Sequence, residues 1–223
     1  MANEPRFNDL FDQWAEDYDL AVSGGHPEYI EVFEGYADIL KTVVESLSLP
    51  KGSVVMEFGV GTGNLSRLLL EAGYRVIGIE PSYAMREKAK SKLPDLELYE
   101  GHFLQVPGGL PPVDGIVSTY AFHHLTDEEK DRALRDFARR LRPGGKIVFA
   151  DTVFRDEATK RDMQQEAEKR GFHELAQDLK REYYPVVERL KSAFHQAGLT
   201  VRLKQLNRYV WLMVAERTEA NPN

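Results

Sequence analysis

The chain of 223 residues contains no cysteine, which excludes disulfides, thiolate metal sites and cysteine nucleophiles and fits a reducing compartment. No apolar run approaches the roughly 20 residues of a membrane-spanning helix. The beginning, "MANEPRFNDLFDQWAEDYDL", is acidic and mixed rather than basic then apolar, so it does not read as a secretory leader. Basic blocks are missing too: 29 Lys plus Arg stand against 36 Asp plus Glu, a formal charge of −7. A polyanionic nucleic acid or an anionic membrane is therefore a poor partner, and a small molecule a better one. The expectation is a cytoplasmic, soluble protein. Its 42% hydrophobic share and its length suit one core with an appended cap.

What is present is a regular alternation. "SVVMEFGV", "YRVIGIEP", "LELYEG", "VDGIVSTYAF" and "KIVFADT" read as strands; between them "NLSRLLLEAG", "SYAMREKAKSKLP" and "DEEKDRALRDFARRLRP" read as helices. Gly73 closes the first of these helices, Ser82 caps the second, and Thr126 with Glu129 makes a capping box for the third. Strands alternating with helices of this length imply an α/β, doubly wound, mostly parallel sheet. The ends break the rhythm. Residues 6–49 read as helical, with Phe11, Trp14 and Tyr18 at helical spacing, and residues 155–197 as charged helices. Both suit a lid or cap over the carboxyl edge of the sheet. After Gly198, "TVRLKQL" and "YVWLMVAER" flank the turn-like "NR", an antiparallel hairpin.

The chemistry is concentrated in "VVMEFGVGTGNL". Gly59, Gly61 and Gly63 follow an apolar strand at every second position, which allows a sharp turn and close approach of a ligand to main chain. A dinucleotide fingerprint GxGxxG from Gly59 would require glycine at position 64, where Asn64 stands. Glu80 ends the second strand, as an acceptor of ribose hydroxyls would. The ExGxGxG pattern from Glu57, with Glu80, "FDQWAEDYD", "GIEPS", "IVSTYAFHHLTDEEK" and "LRPGGKIVFADT", resembles the class I S-adenosylmethionine-dependent methyltransferases, and within them the small bacterial YrrT type.

That resemblance implies a seven-stranded sheet with a reversed last strand, a Rossmann-like core at 50–152 binding S-adenosyl-L-methionine, a lid at 1–49, a helical cap at 153–197 and a closing hairpin at 198–218, all in one methyltransferase domain. It implies donor contacts from Gly59, Gly61, Gly63 and Glu80, with Glu57 supporting the loop or accepting from the donor's ammonium group. Tyr18 and Tyr29 close from the lid. Thr119 and Tyr120 line the donor site after the fourth strand. Where the family usually carries Asp for the adenine amino group, this chain has His102, whose neutral imidazole accepts one hydrogen bond; Phe103 beside it is the other adenine candidate. Histidines 123 and 124 invite a base or metal reading. His123 is the candidate base, and no third ligand at metal spacing accompanies the pair, so no metal is expected. The absent cysteine argues against covalent pyrimidine chemistry, and "STYA" lacks the Asn/Asp-Pro-Pro-aromatic signature of amino methylation on DNA bases. A small-molecule acceptor is expected. Rival readings are a non-catalytic binder of the same donor acting through a protein partner, and an NAD-dependent oxidoreductase.

Overall fold

The computed structural model describes residues 18–217. Phe11 and Trp14, part of the expected apolar stripe, lie outside the described residues, as do the first residues of the expected lid. Seven strands form one sheet in the order β3-β2-β1-β4-β5-β7-β6: β1 Val54–Phe58, β2 Arg75–Ile79, β3 Glu97–Tyr99, β4 Val113–Thr119, β5 Leu141–Thr152, β6 Leu199–Gln205 and β7 Val210–Arg217. Neighbours pair in parallel except along β7, which runs antiparallel to both β5 and β6. This is the doubly wound sheet with a reversed last strand.

Side-chain alternation along the strands divides the core in two. Val55, Val117, Val148 and Ala150 face one apolar layer; Met56, Phe58, Ile116, Ile147 and Phe149 face the other. Helices α1 (Tyr36–Leu47) and α2 (Asn64–Glu71) contribute to the first layer. The second takes Phe137 from α4 (Asp127–Arg140) and Phe194 from α7 (Val187–Gln196). Helix α3 (Tyr83–Lys92) connects β2 to β3, and α5 (Glu157–Lys169) and α6 (His173–Arg181) form the cap after β5. The expected caps are in place. Ser82 accepts from Met85 N–H, Thr126 and Glu129 bond reciprocally, and Gly73, with φ of 89°, follows the end of α2.

Two readings change in detail. Residues 18–49 are not continuously helical: short turns over 18–29 give way to α1 across Gly24 and Gly35, both with positive φ, conformations that interrupt a helix. Strand five begins at Leu141 rather than Lys146, because Leu141 pairs with Val113 ahead of a register shift. Arg142 holds Asp114 at 2.9 Å across that irregularity. No helix among the described residues is long and apolar enough to cross a membrane.

Candidate active site

The site lies at the carboxyl ends of β1, β2, β4 and β5, where an open α/β sheet leaves a crevice. After β1 the chain turns through Gly59, Gly61 and Gly63 with φ of 69°, 55° and 87°, left-handed conformations that a side chain disfavours. At Gly59 a Cβ would also come within 2.8 Å of Ala121. At Gly61 a Cβ would meet only a ring carbon of Tyr18 at 4.0 Å, so main chain here borders space under the Tyr18 ring.

The Glu80 carboxylate braces this loop. One oxygen accepts the Gly61 N–H at 2.9 Å, the other the Ser82 N–H at 2.9 Å, and the side chain is only 4% exposed. Glu57, at the end of β1, accepts a hydrogen bond from the Ser66 hydroxyl on α2 at 2.5 Å. Burial pushes its carboxyl up to about 8; the Ser66 bond works against that rise and the nearby Glu80 charge adds to it. Asp19 ties the entry of the chain to the loop, accepting from the Thr62 hydroxyl at 2.6 Å and pairing with Lys92 of α3 at 2.6 Å.

Tyr18, Tyr36 and Tyr120 gather beside the loop. Tyr18 and Tyr36 share a hydrogen bond, the Tyr36 and Tyr120 rings lie 5.6 Å apart, and Phe33 packs on Tyr120 at 5.2 Å. Tyr29 lies elsewhere than over the loop: its hydroxyl donates to Asp178 in the cap. Tyr120 directly follows β4 with φ of 52°, a conformation rare for a bulky residue and associated with functional sites. Its hydroxyl and that of Ser118 are buried without a hydrogen-bond partner among the described residues. Thr119 ends β4 beside them.

His102 sits in a tight turn in which it and Gln105 exchange backbone hydrogen bonds, and its Nδ1 accepts from the Leu104 N–H at 3.3 Å. Burial lowers its pKa from the usual histidine value. The Phe103 ring turns inward, 5.2 Å from Phe58 and nearly parallel to it, in the second apolar layer.

His123 and His124 occupy the short helical turn after β4, their rings 4.0 Å apart. Asp151, the penultimate residue of β5, lies 2.6 Å from His123 Nδ1 and also accepts the His123 backbone N–H at 3.0 Å. Burial alone would depress the His123 pKa, but Asp151 outweighs it and the net shift is upward. His124 Nδ1 lies 2.9 Å from Glu182, which follows α6; burial and the neighbouring His123 pull the His124 pKa down to about 4. Asp151 and Glu182 are functional-site candidates that sequence reasoning missed. Their only signal, buried-strand Asp151 in "KIVFADT", carries no spacing to the histidines, and Glu182 stands 58 residues from His124.

A family model described as a methyltransferase domain matches residues 55–145. An uncharacterized methyltransferase of Geobacillus kaustophilus is 53% identical over 210 residues, covering 94% of this chain and 96% of the relative. The uncharacterized methyltransferase YrrT of Halobacillus halophilus is 49% identical over 213 residues, covering 96% of this chain and 98% of the relative. Among solved structures, the magnesium protoporphyrin IX methyltransferase of Synechocystis PCC 6803 with bound S-adenosylmethionine superposes with a TM-score of 0.70 at 16% identity, covering 97% of this chain and 98% of that one.

Proposed function

The chain belongs to the S-adenosylmethionine-dependent methyltransferases, and from that premise we propose that it moves the donor's methyl group to a small-molecule acceptor by in-line displacement. The observation that carries this reading is the loop of three left-handed glycines with the Glu80 carboxylate clamped beneath it. The open side of Gly61 and the hydroxyls of Ser118 and Tyr120, without a partner among the described residues, suit a polar ligand at that edge. Residues 59–63 and Glu80 would hold the amino-acid tail and ribose, with Tyr18, Glu57, Thr119 and Tyr120 around them and His102 or the backbone amide of Phe103, whose ring faces the core, towards the adenine. The donor supplies a sulfonium methyl that is already activated. The chain's task is therefore alignment and exclusion of water. Tyrosines 18, 36 and 120 supply an apolar wall for both. A proton carried by the acceptor has His123, oriented by Asp151, to receive it.

Calorimetric titration tests the donor assignment. S-adenosylmethionine and S-adenosylhomocysteine should bind in the micromolar range, and NADH should not. Glu80→Ala should weaken donor binding roughly tenfold to a hundredfold, because a hydrogen bond to a charged group is worth about 1.5 to 3 kcal/mol. Heat with NADH and none with either sulfur ligand would overturn the reading.

A further inference from the structure

Cap and sheet edge meet at a cluster that the donor site does not use. His123 and His124 come from the turn after β4, Glu182 from the turn after α6, and one ligand atom from each lies within 4.8 Å of the other two. Glu182 is buried, 6% exposed, and His123 is 8% exposed. We propose that His123, His124 and Glu182 bind a divalent transition-metal ion of the zinc class.

Three observations support the assignment. First, the donor set is chemically right: two imidazoles and one carboxylate make a site with an exchangeable fourth position, the arrangement of catalytic rather than structural zinc. Second, His123 is held as a ligand would be. Its Nδ1 faces a carboxylate at 2.6 Å, so that nitrogen carries the hydrogen and Nε2 keeps its lone pair. Asp151 is itself fixed, accepting the backbone N–H groups of His123 at 3.0 Å and Thr152 at 2.6 Å, which is the carboxylate–histidine support commonly found behind a bound metal. Third, the scale fits. Bonds of about 2.0 to 2.2 Å place two ligand atoms of a tetrahedral ion roughly 3.4 Å apart, inside the 4.8 Å that bounds the separations in the cluster. His124 and Glu182, now 2.9 Å apart, would widen slightly as the ion replaces the hydrogen between them.

The inference deepens the reading of the acceptor side. In the ion-loaded protein the His123 Nε2 lone pair goes to the ion, so His123 can receive a proton only in the ion-free chain, and a three-residue ligand set leaves a fourth position for a hydroxyl, thiol or water. Glu182, the third proposed ligand, lies 58 residues from His124 in the turn after α6, so no local spacing in the sequence links it to the histidines.

The full chain, stripped with a chelator and dialysed, would be titrated with zinc chloride by calorimetry and with cobalt chloride by visible absorption. The expected result is one ion per chain at micromolar affinity, with the intense visible bands of four-coordinate cobalt. His124→Ala and Glu182→Gln should each lose at least tenfold in zinc affinity and abolish the bands, and Asp151→Asn should weaken zinc binding by about tenfold to a hundredfold. Circular dichroism and S-adenosylhomocysteine titration on the same samples report folding and the donor site separately. Donor binding intact with no stoichiometric zinc heat overturns the metal site alone. Zinc binding unchanged in folded His124→Ala and Glu182→Gln overturns it equally.

Discussion

Glu57 and Tyr120 show how single residues at the site carry costs that the fold must absorb. Burial raises the Glu57 carboxyl to about 8, above its value in an unfolded chain. A raised folded pKa means the native state holds the proton more tightly, so this contribution to stability is complete below about pH 4.3 and is lost as pH rises towards 8. Its full size is on the order of 5 kcal/mol, at about 1.4 kcal/mol per tenfold change in proton affinity. Melting temperature should accordingly fall between pH 5 and 8.5 in the parent and much less in Glu57→Gln; equal slopes would contradict the buried acid. At Tyr120 the hydroxyl is buried without a partner among the described residues, a state that costs about 1 to 3 kcal/mol. Tyr120→Phe should therefore melt at the same or a higher temperature while binding donor or acceptor more weakly. A variant that melts lower with binding unchanged would assign the hydroxyl to the fold instead of the ligand.

Among the elements, the segment before α1 is bolted down more firmly than a free lid. The Glu28 carboxylate accepts the N–H groups of Glu174 and Leu175 at 2.9 and 3.0 Å, satisfying the first turn of α6 from outside the helix. The Asn207 side chain, in the β6–β7 turn, donates to the carbonyls of Val32 and Glu34. Arg208 in the same turn pairs with Glu31 at 2.6 Å and with Glu166 of α5 at 2.5 Å, and Arg170 also reaches Glu31 at 2.5 Å. These four charges form a network joining segment, cap and hairpin. The groups are partly exposed, so Arg208→Ala should cost only about 0.5 to 1 kcal/mol, or roughly 1 to 4 °C in melting temperature. The loss should shrink in 1 M salt, where the screening length is about 3 Å. A loss that persists at high salt would mean that Arg208 acts through packing.

Across the whole molecule, the lid segment and the sheet share one core. Val22, Tyr29, Val32 and Phe33 belong to the same apolar layer as α1, Val117, Val148 and Leu175 of the cap. Burial on this scale contributes about 25 cal/mol per Å² of apolar surface, so loss of these four side chains exposes a layer the sheet depends on. Deleting residues 1–35 would therefore lower the melting temperature as well as any turnover, and a truncated chain that melts with the parent would contradict this shared core.

Local physics made much of this protein legible in its sequence. The alternation of strands and helices, the capping box at Thr126 and Glu129, and the glycine-rich turn after β1 depend on residues within a few positions of one another, and the structure has each of them. The place of the Gly59–Gly63 loop beside Glu80 followed from the same local order, because β1 and β2 are joined by a single short crossover. Tertiary structure alone decided the rest. Glu182 meets His124, Tyr29 meets Asp178, and Phe103 turns into the core because elements far apart in the chain pack there, a matter of burial and shape rather than spacing. The carboxylates behind the two histidines are thus set by how the cap folds back on the sheet edge, which no local pattern encodes.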